Sequence, residues 1–134
     1  MVVTAVYSKT PLFKKLGIKE GMRVLPVKPP ENYFDLIEGA PVFRLLRRRT
    51  ANVELVHIFL HGRKDLANVG DWLQILSSGG ILWISWAKKS SSKHNGISED
   101  DLRAAILPLG WVDTKVCAVD EDWSGLKFLK RKSV

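Results

Sequence analysis

The chain has 134 residues, one cysteine and a formal net charge of +7, and this length is typical of one domain. Apolar residues make up 46% and charged residues 26% of it, which excludes a disordered or collagen-like chain. The apolar stretches are too short to span a membrane. One cysteine excludes an internal disulfide, and no signal peptide is apparent, so we expect a single cytoplasmic domain over residues 1–134.

The first elements along the chain are short. Thr10 and Pro11 predict a helix start, with threonine as the cap and proline at the first helical position, and Gly17 predicts its end. Arg23–Val27 is a short run with two β-branched valines that predicts a strand. Pro26 lies inside this run and has no amide hydrogen, so we expect the strand to end there or its ladder to be broken.

The next elements lead to the clearest strand of the sequence. Residues 33–37 predict a short helix with Asn32 as its cap and Gly39 as its end. Residues 42–47 predict a second short strand. Residues 53–60 (VELVHIFL) are mostly apolar on both alternating faces, as in a strand that is covered by helices on both sides.

A helix and a third buried strand follow. Leu66, Val69, Leu73 and Leu76 recur at helical spacing and predict a helix. Residues 77–80 (SSGG) predict the end of that helix, and residues 81–86 (ILWISW) predict a strand with two apolar faces.

The last third of the chain predicts a helix and a hairpin. Ser98 and Asp101 form a capping pattern at the helix start, and residues 108–110 (PLG) end the helix. Residues 111–119 and 124–131 predict two strands that are joined by a turn at residues 120–123.

Strands therefore alternate with helices until a terminal hairpin. Alternation of this kind predicts βαβ units and a mostly parallel sheet with helices on both faces. We expect an α/β, Rossmann-like sheet of about six strands that closes with an antiparallel β-hairpin.

Four phrases carry a resemblance to a known family: residues 16–24 (LGIKEGMRV), 30–35 (PENYFD), 82–90 (LWISWAKKS) and 116–127 (VCAVDEDWSGLK). Together with the order of elements, they resemble a small bacterial family of unknown function with a truncated methyltransferase fold. That fold is the class I fold of enzymes that depend on S-adenosylmethionine (SAM). The resemblance covers nearly the whole chain and implies the fold, but it implies no activity.

The sequence departs from such enzymes where they hold SAM. They carry a glycine-rich turn after the first strand and an acid at the end of the second. Here the turn at residues 28–32 reads KPPEN, has no glycine and loses two amide donors to proline. The second strand ends in Arg47, Arg48 and Arg49. The sequence thus argues against a usual SAM site and favours a non-catalytic binding or interaction module. An atypical SAM-dependent methyltransferase, or another small-metabolite enzyme, stays the alternative.

Other catalytic and metal motifs are absent from the sequence. His57, His61, His94 and Cys117 do not follow a zinc-binding spacing, so we expect core or surface histidines and no metal. Neither a hydrolase Gly-x-Ser-x-Gly nor a phosphate-binding glycine loop occurs.

Loops at one edge of the predicted sheet define the candidate site. Ligands of open α/β sheets bind at the carboxyl ends of the parallel strands, and four predicted loops leave that edge. Their side chains suit a small anion or a phosphorylated ligand. The candidate ligand-binding residues are Asn32, Tyr33, His61, Arg63, Lys88, Lys89, Ser90, Asp120 and Trp123.

Partners follow from charge and from the hairpin. Basic and acidic stretches alternate along the chain, so charge permits nucleic-acid binding without favouring it. The terminal hairpin offers an edge strand to a protein partner or to a second copy of the chain.

Overall fold

Six strands form one mixed sheet in the computed structural model, which describes residues 10–132. The sheet order is β2-β1-β3-β4-β6-β5, with β1 to β4 parallel and β6 antiparallel to both of its neighbours. The elements in chain order are α1 (Leu12–Leu16), β1 (Arg23–Val27), α2 (Tyr33–Leu36), β2 (Arg44–Leu45), β3 (Val53–Phe59), α3 (Arg63–Ala67), α4 (Val69–Leu73), β4 (Leu76–Ala87), α5 (Glu99–Ile106), β5 (Trp111–Ala118) and β6 (Trp123–Lys130). The predicted fold class is confirmed.

Helices cover both faces of the sheet because its central strands are apolar on both sides. One core layer packs α3, α4 and α5 against the sheet, and the other packs α1 and α2. Trp83 and Trp86 of β4 fall in opposite layers, as alternation along a strand requires. No helix among residues 10–132 is long and apolar enough to cross a membrane.

Pro26 lies within β1 and breaks the ladder on one side only. β1 pairs with β3 as far as Val27, but with β2 only at Arg23 and Val24. The carbonyl of Val24 accepts from the amide of Leu46 at 2.8 Å, so this side of β1 faces β2. Residues two apart in a strand face the same neighbour, so the nitrogen of Pro26, which has no hydrogen to donate, faces the side on which the ladder ends. The predicted strand at residues 42–47 is correspondingly shortened to two residues.

The predicted helix is confirmed in part. Leu66, Val69 and Leu73 lie in helices, but the segment forms two short helices rather than one, and β4 begins at Leu76. Leu76 pairs with Val53 and Ile81 with Leu55, so residues 77–80 bulge out between two paired positions. Tertiary pairing with β3 therefore overrides the helical spacing of the leucines.

One predicted cap was wrong, because Pro11 is the cap of α1, with an extended backbone, rather than its first helical residue. Asn32 holds the predicted cap position of α2, although its side chain makes no capping hydrogen bond. Two further predicted helix ends are confirmed. Gly17 ends α1 at a φ of 88°, a left-handed conformation that favours glycine. Ser98 and Asp101 form the reciprocal capping box.

Candidate functional site

The main cavity lies where the chain connections diverge. The chain passes from β1 to β2 on one side and enters β3 on the other side of β1, and ligands of open α/β sheets bind at such a switch point. A cavity of about 600 Å³, here called the switch-point cavity, lies outside these strand ends. It is lined by Pro30, Glu31, Asn32, Leu60, His61, Lys93, Asp120, Asp122 and Trp123.

A second cavity of about 410 Å³, here called the side cavity, lies outside the ends of β1 and β2. It is lined by Pro26, Lys28, Pro29, Pro30, Glu31, Tyr33, Phe34, Leu45, Leu46 and Arg47. Pro30 and Glu31 line both cavities, so the turn after β1 stands between them. We refer to the two adjoining cavities as the cleft, whose size suits a small molecule.

The loop between β5 and β6 forms one wall of the switch-point cavity and is held by its own hydrogen bonds. Oδ1 of Asp120 accepts from the backbone amides of Asp122 and Trp123, at 2.8 Å each. Nζ of Lys88 donates to the carbonyl oxygen of Asp120 at 2.6 Å. Asp120 therefore holds this loop in shape, and one of its two carboxylate oxygens already accepts two hydrogen bonds from the loop itself.

Asp122 ties this wall to the loop after β4. Its carboxylate accepts from Oγ of Ser91 at 2.7 Å and from Nζ of Lys93 at 3.0 Å. These hydrogen bonds hold the pKa of Asp122 below its usual range. The Lys93–Asp122 pair brings little net charge to the cavity. Glu31, in contrast, has no ion-pair partner within residues 10–132.

His61 follows β3 and is fastened to the turn after β1. Its Nε2 lies 2.9 Å from the carbonyl oxygen of Lys28 and donates to it. Its amide and Nζ of Lys28 both donate to the carboxylate of Asp65, at 2.8 and 2.5 Å. Burial raises the pKa of Asp65, but these hydrogen bonds outweigh burial and lower it overall. The network joins the exits of β1 and β3.

Trp123 contributes the aromatic surface of the switch-point cavity. Its ring is buried and meets the rings of Phe59 and His61 edge-on, with centroids 5.2 and 5.4 Å away. Its Nε1 is a buried donor without a hydrogen-bond partner among the described residues. A buried donor without a partner is uncommon in folded proteins.

A buried polar chain lies beneath the cleft. The hydroxyl of Tyr33 is 2.9 Å from Nδ1 of His57, and Oγ of Ser85 is 2.8 Å from its Nε2. Burial lowers the pKa of His57 to about 3 and raises that of Tyr33, so both side chains are neutral. This polar chain fastens α2, and with it the turn that separates the two cavities, to β3 and β4.

Four of the nine predicted site residues line the switch-point cavity: Asn32, His61, Asp120 and Trp123. Tyr33 lines the side cavity, although its hydroxyl bonds to His57. Lys88 reaches the wall through the Asp120 carbonyl.

The other three lie elsewhere. Arg63 turns towards α5 and pairs with Asp101 at 3.4 Å, and Lys89 lines a separate cavity beside that helix. Ser90 is exposed in the loop after β4 and lines neither part of the cleft.

The sequence missed five residues of the main cavity: Pro30, Glu31, Leu60, Lys93 and Asp122. Four of them lie in the loops that the strand-end argument had identified, and Leu60 ends the predicted strand. The sequence therefore predicted which loops line the cavity, but not which residues of each loop do so. Which side chain of a loop turns inward depends on local hydrogen bonds, such as the Lys93–Asp122 pair.

The two departures from a usual SAM site lie together in the side cavity. Lys28, in the turn after β1, has a φ of 54°, a left-handed conformation that usually favours glycine. Pro29 and Pro30 follow it and offer no amide donors. Arg47 lines the cavity two residues past the end of β2, where an acid holds the ribose in dinucleotide-binding sheets. Among residues 10–132, no group of three or more His, Cys, Asp or Glu side chains could hold a metal ion.

Solved structures of methyltransferases share this architecture. A SAM-dependent methyltransferase from Aquifex aeolicus has a TM-score of 0.65 at 12% identity, over 92% of this chain and 90% of that one. A ribosomal protein L11 methylase from Lactobacillus delbrueckii has a TM-score of 0.57 at 10% identity, over 90% of this chain and 76% of that one. The magnesium protoporphyrin IX methyltransferase of Synechocystis, solved with bound SAM, has a TM-score of 0.56 at 9% identity, over 89% of this chain and 74% of that one.

Identities this low show a shared fold alone. The chain matches no protein-family model and no curated protein. It has the class I methyltransferase fold in a short, six-stranded form, and the resemblance drawn from the sequence is confirmed at the level of the fold.

Proposed function

We propose that the protein is a non-catalytic binding module that holds a small ligand in the cleft. The observation that carries this proposal is the combination of a retained switch-point cavity and an altered cofactor turn. The cavity has the position and size of a ligand site. The turn at residues 28–32 lacks the glycines and two of the amides with which related folds approach a nucleotide cofactor.

The polar groups of the cleft support binding rather than catalysis. His61 bonds to a backbone carbonyl, and Asp120 accepts from two backbone amides. A nucleophile and its base must lie within hydrogen-bond distance of each other, and no such pair appears among the described lining residues. These side chains instead hold the loops in place. A site that is shaped before the ligand arrives binds with a smaller ordering cost.

An atypical SAM-dependent methyltransferase is the second candidate. It is favoured by the shared fold, since a neighbour such as the Synechocystis enzyme was solved with bound SAM. The turn with Pro29 and Pro30, and Arg47 in place of an acid, both argue against it. This candidate predicts SAM binding in the cleft and transfer of the methyl group to an acceptor.

A thermal-shift screen with metabolites, nucleotides and SAM tests the proposal. A ligand present at about 100 times its Kd stabilises the protein by about 2.7 kcal/mol. The variant Asn32→Trp places a large side chain in the lining of the switch-point cavity, and we expect it to abolish the shift. Asp35→Trp changes an exposed residue of α2, the helix that Asn32 precedes, and Asp35 does not line the cleft, so this variant should keep the shift.

Two results would contradict the proposal. One is a screen in which no ligand gives a shift that depends on a lining residue of either cavity, Asn32 in the switch-point cavity or Arg47 in the side cavity. The other is a bound ligand that is converted during incubation, above all SAM giving up its methyl group, which would establish the enzymatic alternative.

A further inference from the structure

The residues that line the side cavity suit the binding of a flat aromatic ring. Most of its lining is apolar, with three prolines, Leu45, Leu46 and Phe34. Phe34 is unusually open for an aromatic residue, since 54% of its surface is exposed. An exposed aromatic ring beside an apolar cavity is typical of surfaces on which nucleic-acid bases stack. The volume of about 410 Å³ falls within the range of small-ligand sites.

The charge of the side cavity differs from that of the switch-point cavity. Its two cations are Lys28 and Arg47, and its one acid is Glu31. Lys28 is paired with Asp65. Arg47, in contrast, has neither an ion pair nor a hydrogen bond from its side chain within residues 10–132. A guanidinium without a partner, beside a cavity, is suited to a phosphate because its planar fork binds two oxygens at once.

The position of Arg47 indicates where such a phosphate would be on the ligand. In dinucleotide-binding sheets, the side chain at the end of the second strand faces the ribose hydroxyls. An acid at this position binds the free hydroxyls, whereas an arginine accommodates a phosphate that is attached to one of them. β2 ends at Leu45, and Arg47, two residues further on, lines the cavity.

We propose that the side cavity binds a nucleoside whose ribose carries a phosphate on its 2′ or 3′ hydroxyl. The phosphate pairs with Arg47, and the base packs against Phe34. This inference rests on the proposed binding function and adds to it the chemical class of the ligand.

Calorimetric titration with the 2′- and 3′-monophosphates of the four ribonucleosides tests the inference. The unphosphorylated nucleosides, the 5′-monophosphates and inorganic phosphate serve as comparison ligands. We expect at least one 2′- or 3′-monophosphate to bind at least about tenfold more tightly than all of these, since hydrogen bonds to a charged group are strong.

Two matched pairs of variants locate the site. Arg47→Ala should weaken binding of the phosphorylated ligand at least about tenfold, whereas Arg48→Ala, which changes an exposed neighbour outside the lining, should leave it unchanged. Phe34→Ala should also weaken binding of the 2′- or 3′-monophosphate, because the base of the nucleotide loses its packing surface. Val42→Ala is the control, because Val42 is also exposed but lines neither part of the cleft. All four positions lie on the surface, so the variants are expected to fold.

The inference is overturned if the 2′- and 3′-monophosphates bind no better than the comparison ligands. It is also overturned if Arg48→Ala weakens binding as much as Arg47→Ala does, since binding would then follow general surface charge. If these nucleotides fail while another ligand gives a shift that depends on Asn32 or on Arg47, the inference is lost and the binding function stands. If no ligand gives such a shift, the binding function is lost as well.

Discussion

His57 is a polar side chain in the middle of an apolar strand, and its two hydrogen-bond partners make that position tolerable. Neutral imidazole has one donor and one acceptor nitrogen, so the Tyr33 hydroxyl and the Ser85 hydroxyl satisfy both. The sequence predicted a core or surface position for His57 and did not predict its partners. Ser85 is paired with Phe59 and reaches His57 diagonally, and strand register of this kind cannot be worked out from one sequence.

The pKa of His57 predicts how stability depends on pH. In the folded chain this pKa is lowered to about 3 by burial, whereas in the unfolded chain it is about 6.5. Below about pH 6.5 the unfolded state therefore binds a proton that the folded state does not. We expect the free energy of unfolding to fall by about 1.4 kcal/mol per pH unit from this group as the pH drops towards 3.

Urea unfolding at about pH 7 and about pH 5 measures this slope. The variant His57→Gln keeps a donor and an acceptor but does not titrate, so it should show a clearly smaller loss of stability over that interval. His61 and His94 are present in both proteins and cancel in the comparison. Equal slopes for the two proteins would refute a neutral, buried His57.

Trp123 and its neighbours illustrate how far the site could be predicted at the scale of residues. Asn32, His61, Asp120 and Trp123 were identified because each follows a predicted strand or forms the predicted turn, and strand ends meet at one edge. Arg63 was expected there for the same reason, but its ion pair with Asp101 turns it towards α5. The position of a residue in the sequence predicts which loop it belongs to, whereas the partners of its side chain determine whether that side chain points into the cavity.

At the scale of elements, the predictions succeeded where local signals and tertiary packing agree. The helix α5 begins at a capping box that the sequence shows directly, in which Ser98 and Asp101 bond to each other's backbone amides at 3.2 and 2.9 Å. The segment before β4 gave the opposite result. Its leucines have helical spacing, but pairing with β3 draws Leu76 into the sheet.

The capping box predicts a measurable loss of stability. Ser98→Ala removes the hydroxyl that accepts from the amide of Asp101 and should destabilise the protein by about 1 kcal/mol. Ser92→Ala is a suitable control because Ser92 is exposed in the preceding loop and makes no hydrogen bond among the described residues. Urea unfolding compares the two variants, and similar stabilities would contradict the assigned role of Ser98.

At the scale of the whole molecule, the alternation of elements was enough to predict the sheet, its hairpin and the edge that carries the cleft. The distribution of charge over that edge was not predictable. Lys88, Lys89 and Arg63 were expected to suit that edge to a small anion, but the acidic residues Glu31, Asp120 and Asp122 line the switch-point cavity. Positive charge without a partner is found instead in the side cavity, at Arg47.

Nucleic-acid binding through the basic surface stays a separate prediction for the whole molecule. It requires affinity that falls steeply with added salt. The small-ligand account, in contrast, requires binding that depends on the lining of the cleft.

The central claim is that the cleft binds a small ligand without converting it, and the indole signals in an NMR titration test it most directly. Trp123 lines the switch-point cavity with an unpartnered Nε1, whereas Trp72 packs against the core layer of α3 to α5 and lines neither part of the cleft. Trp123→Phe and Trp72→Phe assign the two signals. With a ligand whose thermal shift is lost in Asn32→Trp, and which therefore occupies the switch-point cavity, we expect the Trp123 signal to move, the Trp72 signal to stay and the ligand to be recovered unchanged. A stationary Trp123 signal under saturating ligand, or a chemically altered ligand, would contradict the account.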